Sequence, residues 1–258
     1  MSADLQSDES LVPPASMLFD GNPSIEQFKA LGDGFLKNVL VPKAYLAPSA
    51  SFLDLGCGNG SVARALTRYL TAEGRYEGLD INRAGVEWLQ ERYAPYPNFR
   101  FTHANVYNKA YNASGAVPAH EYRLPYDDAA FDVALLKSVF THMLPQDVRQ
   151  YMTELARVIR PGGRAVISYF LLNDESRQLL DRGRGTYSLK FEWNGDPSCR
   201  VEDIDMPEGV TAHDEQRIRR LYTESGFAVA DIAFGSWCGR TSLIGFQDLV
   251  VAVREGAS

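Results

Sequence analysis

The sequence predicts a three-layer α/β sandwich around a mostly parallel, seven-stranded sheet with an antiparallel edge strand, on three observations. Short apolar runs alternate with helix-period segments from residue 51 onward, the pattern of βαβ units. One run, Phe52-Leu53-Asp54-Leu55, passes into Gly56-Cys57-Gly58-Asn59-Gly60, with glycines at alternate positions. Glycine accepts positive φ and lets a ligand approach the backbone, so a strand here enters a tight ligand-facing turn. The last two apolar runs are joined by a link too short for a crossover helix, which favours an antiparallel pair at one edge.

Before the first strand, Ile25, Phe28, Leu31, Phe35, Leu36, Val39 and Leu40 give a helical pattern from Ser24. Gly32 and Gly34 interrupt it, which predicts a bend or a close approach to a ligand. Residues 1–48 are expected to form an N-terminal cap region, with a polar start and a short apolar tuck at Met17-Leu18-Phe19. Residues 49–258 form the main domain. After the strand at 51–55, Val62, Leu66 and Leu70 mark a helix from Ser61 to Ala72. Tyr76 to Asp80 reads as a second strand, Ala84 to Tyr93 as a helix, and Phe99 to Thr102 as a third strand. The stretch 105–128 has no sustained periodicity and is expected to be a long functional loop.

Phe131 to Leu136 is apolar enough for a buried parallel strand. Pro145 then opens a helix carrying Val148, Met152, Leu155 and Ile159, which stops at Pro161-Gly162-Gly163. Ala165 to Leu171 is a fifth strand. The pattern dissolves over 172–213, read as an insertion, and a helix from Asp214 to Ser225 ends at Gly226. Phe227 to Phe234 and Gln247 to Val253 complete the seven strands.

Composition narrows the function classes. The 258 residues are 45% hydrophobic and 23% charged, with a formal net charge of −7. That balance suits a globular enzyme and argues against a broad nucleic-acid face, which needs clustered cations. The cluster Arg217-Ile218-Arg219-Arg220 reads as a solvated helix face. Cys57, Cys199 and Cys238 are too few for a disulfide framework, and the four histidines show no zinc spacing with them. No metal is expected. No apolar run approaches the roughly 20 residues of a membrane span, and the polar, acidic N-terminus is unlike a signal peptide. The expectation is a soluble cytoplasmic protein, monomer or homodimer, without nucleic-acid partners.

In an open α/β sheet, ligands bind beyond the C-terminal strand ends. Asp80 lies about twenty residues past the glycine turn, where a carboxylate bonds a ribose diol in dinucleotide folds. The turn is G-x-G-x-G rather than G-x-G-x-x-G, and Asp54 before it would repel a pyrophosphate. Both features disfavour an NAD-dependent oxidoreductase and favour a ligand carrying positive charge.

Asp54-Leu55-Gly56-Cys57-Gly58-Asn59-Gly60, Gly78-Leu79-Asp80, Phe131-Asp132-Val133 and Arg160-Pro161-Gly162-Gly163, in this order, resemble the class I S-adenosylmethionine-dependent methyltransferases. The resemblance covers roughly residues 50 to 254 and implies the Rossmann-like methyltransferase fold, with S-adenosyl-L-methionine as cofactor and S-adenosyl-L-homocysteine as product. It implies that Gly56, Gly58 and Gly60 bring backbone near the methionine part, with Asp54 nearby. Asp80 would hold the ribose and Ile81 would pack on adenine. Asn105, followed by Val106, stands where the family has an Asp or Asn near the adenine amino group, although this chain reads Ala104-Asn105 rather than Ala-Asp. Lys137 and Ser138 would lie by the methionine moiety and the substrate, and Gly32 would be the cap's close approach. The run from Lys137 to Pro145, with Gly235 to Arg240, resembles a bacterial subgroup acting on sugars, glycolipids or other small metabolites.

Methyl transfer from a sulfonium chiefly requires alignment and desolvation. An oxygen acceptor also has a proton to lose, and His142, just after the fourth strand, is the candidate base. The competing reading has His142 packed at a helix start, bonding a backbone carbonyl. His213 reads as a surface cap beside Asp214, and His103 as a satisfied core or edge histidine. Tyr107, Tyr111, Tyr187, Trp193 and Trp237 are candidates for an aromatic substrate wall, though aromatics are also core material. Arg240 could pair with a substrate anion or with an acidic neighbour. The expected activity is methylation of a hydroxyl on a small molecule or glycan. The alternatives are an N-methyltransferase of a small metabolite and a catalytically silent S-adenosylmethionine-binding partner protein.

Overall fold

The computed structural model describes residues 8–18, 24–242 and 245–256, so residues 1–7 of the polar start and Phe19 of the apolar tuck lie outside the described residues. The chain divides into two compact units, residues 1–104 and 105–258.

In the first unit, Ser24 caps helix α1 (Ile25–Phe35) by accepting a hydrogen bond from the Gln27 amide at 3.2 Å. A π-helical turn, Leu36–Leu40, prolongs the helix, so its two glycines do not break it. Strand β1 (Ser51–Leu55) leads through the glycine turn into α2 (Ser61–Leu66). A Cβ on Gly32 would stand 1.9 Å from the Ser61 carbonyl oxygen, so its close approach is to the first residue of α2. The buried Arg64 adds to this packing, donating to the Lys29 carbonyl at 3.1 Å and pairing with Asp33 at 2.8 Å. Helix α2 stops before the expected Ala72. There the Thr67 hydroxyl donates to the Arg64 carbonyl, a local bond that competes with the helical ladder, and the Thr71 amide donates to the distant Pro48 carbonyl. Strand β2 (Arg75–Asp80), helix α3 (Arg83–Arg92), capped by Asn82, and strand β3 (Phe99–His103) complete the unit. Strands β1, β2 and β3 pair in parallel. Tyr76 stacks between Phe52 and Phe99, with centroids 5.9 and 5.1 Å away.

The second unit opens with the expected long loop, which contains a short parallel pair, β4 (Val106–Tyr107) and β5 (Val117–Pro118). Strand β6 (Phe131–Leu136), helix α4 (Pro145–Val158) and strand β7 (Ile159–Tyr169) form a parallel unit. Asp147 accepts from the Leu144 amide at the start of α4. Residues 172–213 hold more structure than their pattern suggests. After β8 (Leu171–Leu172) come α5 (Asp174–Asp181), β9 (Phe191–Trp193), β10 (Asp196–Val201) and β11 (Thr211–Asp214). The four strands form a second sheet in the order β8-β11-β10-β9. They run two to six residues each, too short for alternation to stand out from loop sequence. Helix α6 (Glu215–Glu224) ends at Gly226, whose φ of 73° suits a C-terminal cap. Strand β12 (Phe227–Ala233) and β13 (Asp248–Arg254) form the expected antiparallel pair, and β13 also runs antiparallel to β7.

The main sheet has seven strands in the order β12-β13-β7-β6-β1-β2-β3, the predicted mostly parallel architecture. A smaller apolar core, with Phe170, Leu172, Leu179, Leu189, Ala212, Trp237 and Cys238, lies under the second sheet.

Candidate active site

The glycine turn of the first unit is built by backbone. Gly56, Gly58 and Gly60 have φ of 78°, 55° and 82°, a region that L side chains enter only with strain. The Gly56 and Cys57 amides donate to the Leu79 carbonyl, which fixes the turn against the end of β2. The buried Asp80 accepts from the Gly58 amide at 2.7 Å and from the Asn82 amide at 2.8 Å. The Ile81 amide also bonds this carboxylate, which offers about four acceptor directions, so acceptor capacity remains after these bonds. Burial raises the Asp80 carboxyl above its ordinary range, against the lowering pull of those amides. Asp54 is also buried and accepts from the Tyr76 hydroxyl at 2.7 Å. Two buried carboxylates beside the turn make it hospitable to a cation and hostile to phosphate. The Cys57 thiol is pushed up by burial, with Asp80 and Asp54 adding to the effect, which leaves it an inert filler. His103 bonds the Ile81 carbonyl through Nε2 at 3.2 Å, the satisfied role expected for it.

Sequence reasoning passed over Asn59 in this turn. Its amide nitrogen donates to the Met17 carbonyl, whereas its buried Oδ1 has no hydrogen-bond partner among the described residues. An unsatisfied buried acceptor is costly unless a ligand donor reaches it. Positive-φ glycines, a carboxylate with acceptor directions to spare and this unsatisfied oxygen together fit a ligand bearing hydroxyl and ammonium donors.

In the second unit, side chains build the candidate site. Ser138 follows β6 with φ of 59°, a strained conformation that costs about 1–3 kcal/mol in a non-glycine residue. Its amide donates to the Ser168 hydroxyl at 2.7 Å, and its own hydroxyl donates to Gln247 Oε1 at 3.0 Å. Ser168 in turn donates to the same Oε1 at 2.7 Å. Nothing in the local sequence marks Ser168 or Gln247 as part of this network.

His142, half-buried in the short helical turn Phe140–His142, directs Nδ1 at the Gly209 carbonyl at 2.8 Å and the Glu208 carbonyl at 3.2 Å. A carbonyl only accepts, so Nδ1 carries the proton and Nε2 is the basic nitrogen of the neutral ring. The backbone bond of the competing reading is therefore present, and it selects the tautomer that a base requires. The exposed Tyr111 meets the imidazole edge-on at 4.8 Å. Asn108 donates to the His142 carbonyl at 2.9 Å and accepts from the Ala110 and Tyr111 amides. The exposed Asn105 anchors the loop base, its oxygens accepting from the Ala116 and Val117 amides, while Val106 is buried. Lys137 and Trp193 are half-buried.

Three expectations need correction. Trp237 is no substrate wall: it is fully buried and donates Nε1 to Asp248 at 2.7 Å, because the small core needs its area and Asp248 satisfies its one donor. Arg240 is engaged by Glu175 at 2.6 Å and by the buried Asp248 at 3.5 Å, so the acidic-neighbour reading applies. His213 is not a surface cap but a buried residue of β11 bonding the Phe140 carbonyl at 3.0 Å, and burial lowers its pKa to about 4. Asp214 caps α6 by accepting from the Arg217 amide.

Comparison with known proteins shows what the chain is similar to. Residues 53–167 match the methyltransferase domain family. The chain is 36% identical over 111 residues to phthiotriol/phenolphthiotriol dimycocerosates methyltransferase 1 of Mycobacterium ulcerans, covering 43% of this chain and 34% of that protein. It is 34% identical over 125 residues to a fatty-acid O-methyltransferase of Mycolicibacterium smegmatis, covering 47% of this chain and 36% of the relative. Each match thus spans about a third of the relative's own length. A solved structure of an S-adenosylmethionine-dependent methyltransferase from Methanosarcina mazei superposes with a TM-score of 0.56 at 20% identity, covering 83% of this chain and 96% of that one, a likeness of fold. Residues 53–167 thus resemble a methyltransferase domain, and the fold is like that of a solved S-adenosylmethionine-dependent methyltransferase.

Proposed function

We propose that the protein transfers a methyl group from S-adenosylmethionine to the hydroxyl of a small molecule, lipid or saccharide. The observation that carries this reading is the glycine turn with Asp80 two hydrogen bonds into its backbone, inside the matched domain. Asp80 accepts the ribose hydroxyls, Gly56, Gly58 and Gly60 admit the methionine part, and Ile81 packs on adenine. Asn105, Val106, Lys137 and Ser138 are the further cofactor contacts that the family resemblance implies. Gly32 supports the turn indirectly, through its seat on Ser61.

When bound, the cofactor supplies an electrophilic methyl on a sulfonium, so the protein's own work is to align the acceptor and take its proton. His142 Nε2 accepts the proton of the acceptor hydroxyl, and the Gly209 carbonyl holds the ring in the required tautomer. Tyr111 and the half-buried Trp193 offer faces to the acceptor, and the segments 105–128 and 172–213 enclose it. Relatives named for lipid substrates support an acceptor with an apolar body. Among the described residues no helix is long and apolar enough to cross a membrane.

The test is incubation with methyl-labelled S-adenosylmethionine and separate panels of fatty acids and lipid alcohols, activated sugars, and amines. Label appearing as an ether or ester supports the reading. Label confined to amines would replace it with N-methylation, and no label on any panel while the cofactor binds would favour a silent binding protein.

A further inference from the structure

Gln247 immediately precedes β13, beside the C-terminal end of β7, the edge at which open α/β sheets take ligands. Its Oε1 receives the hydroxyl protons of both Ser138 and Ser168. Ser168 is 2% exposed and already accepts from the Ser138 amide, so Gln247 Oε1 is the acceptor its proton reaches. This bonding fixes the amide orientation, because the reversed amide would leave the buried Ser168 proton unplaced. Gln247 Nε2 is consequently held outward with two N–H donors, and no acceptor among the described residues takes them. Ser138, which belongs to this arrangement, has a strained φ of 59°.

We propose that Gln247 is a ligand-binding residue whose amide N–H donors take a carboxylate oxygen. A pair of donors without an adjoining acceptor selects a ligand atom that only accepts, as a carboxylate oxygen does. That carboxylate belongs either to the amino-acid end of the cofactor or to an acidic acceptor. The inference goes beyond the proposed function and does not depend on His142.

The experiment is titration calorimetry of the full chain and two variants against two matched pairs of probes. S-Adenosylhomocysteine and its decarboxylated analogue, the 3-aminopropyl thioether of adenosine, differ by the amino-acid carboxylate, and palmitate and hexadecanol by the carboxylate of an acyl chain. Gln247→Glu keeps an oxygen for both serines while replacing the outward donor with a second oxygen. Gln247→Leu removes the amide altogether. The expected result is at least about 10-fold weaker binding of the carboxylate-bearing member of one pair, its carboxylate-free mate unchanged, with Gln247→Glu the more affected variant. The affected pair names the source of the carboxylate. Equal binding of all four probes by wild type and Gln247→Glu would overturn the inference, and Gln247→Glu decides the matter even if Gln247→Leu fails to fold. Binding of S-adenosylhomocysteine by wild type tests the proposed function separately.

Discussion

The two regions proposed to handle ligand are made in different ways. The turn at 56–60 is a backbone device: three left-handed glycines and amides that donate to Leu79 and Asp80 shape a cradle with almost no side chains. The region around Ser138 and His142 is a side-chain device, assembled from residues far apart in the chain, with Ser138 and Gln247 separated by 109 in sequence. A backbone device requires particular residues at fixed spacing, because few residues tolerate its dihedrals. A side-chain device can be built from ordinary serines, glutamines and histidines, and only folding reveals which of them meet. The first is suited to a fixed cofactor, and the second can change with the acceptor.

Four perturbations sharpen this comparison. The largest effect is expected at His142: His142→Ala should lower kcat about 10²–10⁴-fold while leaving S-adenosylhomocysteine affinity unchanged. Undiminished turnover at saturating cofactor would reduce His142 to a packing residue held by Gly209. Next, Trp237→Ala should cost about 3–5 kcal/mol in denaturant unfolding, the range for truncating a buried aromatic. A substrate wall would instead raise KM and spare stability.

A third perturbation uses pH to set the buried His213 apart from the half-buried His142. The folded pKa of His213 lies near 4, below its ordinary 6.5, so over that interval the unfolded chain binds a proton that the folded chain does not. The stability contributed by neutral His213 is therefore present above pH 6.5 and lost as pH falls towards 4, by up to ~3 kcal/mol. His213→Gln lacks that titration. Its stability deficit relative to wild type should shrink as unfolding is measured from pH 7 down to 4.5, and a constant deficit would contradict the burial account.

How much was legible in the sequence follows the same division. The main strands announce themselves because strands buried on both faces are largely apolar, as in Phe131–Leu136, where Asp132 alone is charged. The glycine turn and Asp80 were legible for the steric reason given above. The second sheet was not, since strands as short as Phe191–Trp193 leave no period to read. Trp237 was misassigned because an aromatic ring serves a core and a binding wall equally well, and only its bond to Asp248 decides between them. His213 was misassigned because its neighbour Asp214 performs the capping expected there. Ser168 and Gln247 gave no signal, as a polar residue at a strand end is unremarkable until its partner is known.

The central claim is that the backbone-built turn holds S-adenosylmethionine through Asp80. The fourth perturbation, calorimetric titration of S-adenosylhomocysteine into wild type and Asp80→Ala, tests it most directly. The account predicts one-to-one binding by wild type and at least about 100-fold weaker binding by the variant, from the loss of charge-assisted bonds to the ribose. No binding by wild type, or equal binding by Asp80→Ala, would contradict it.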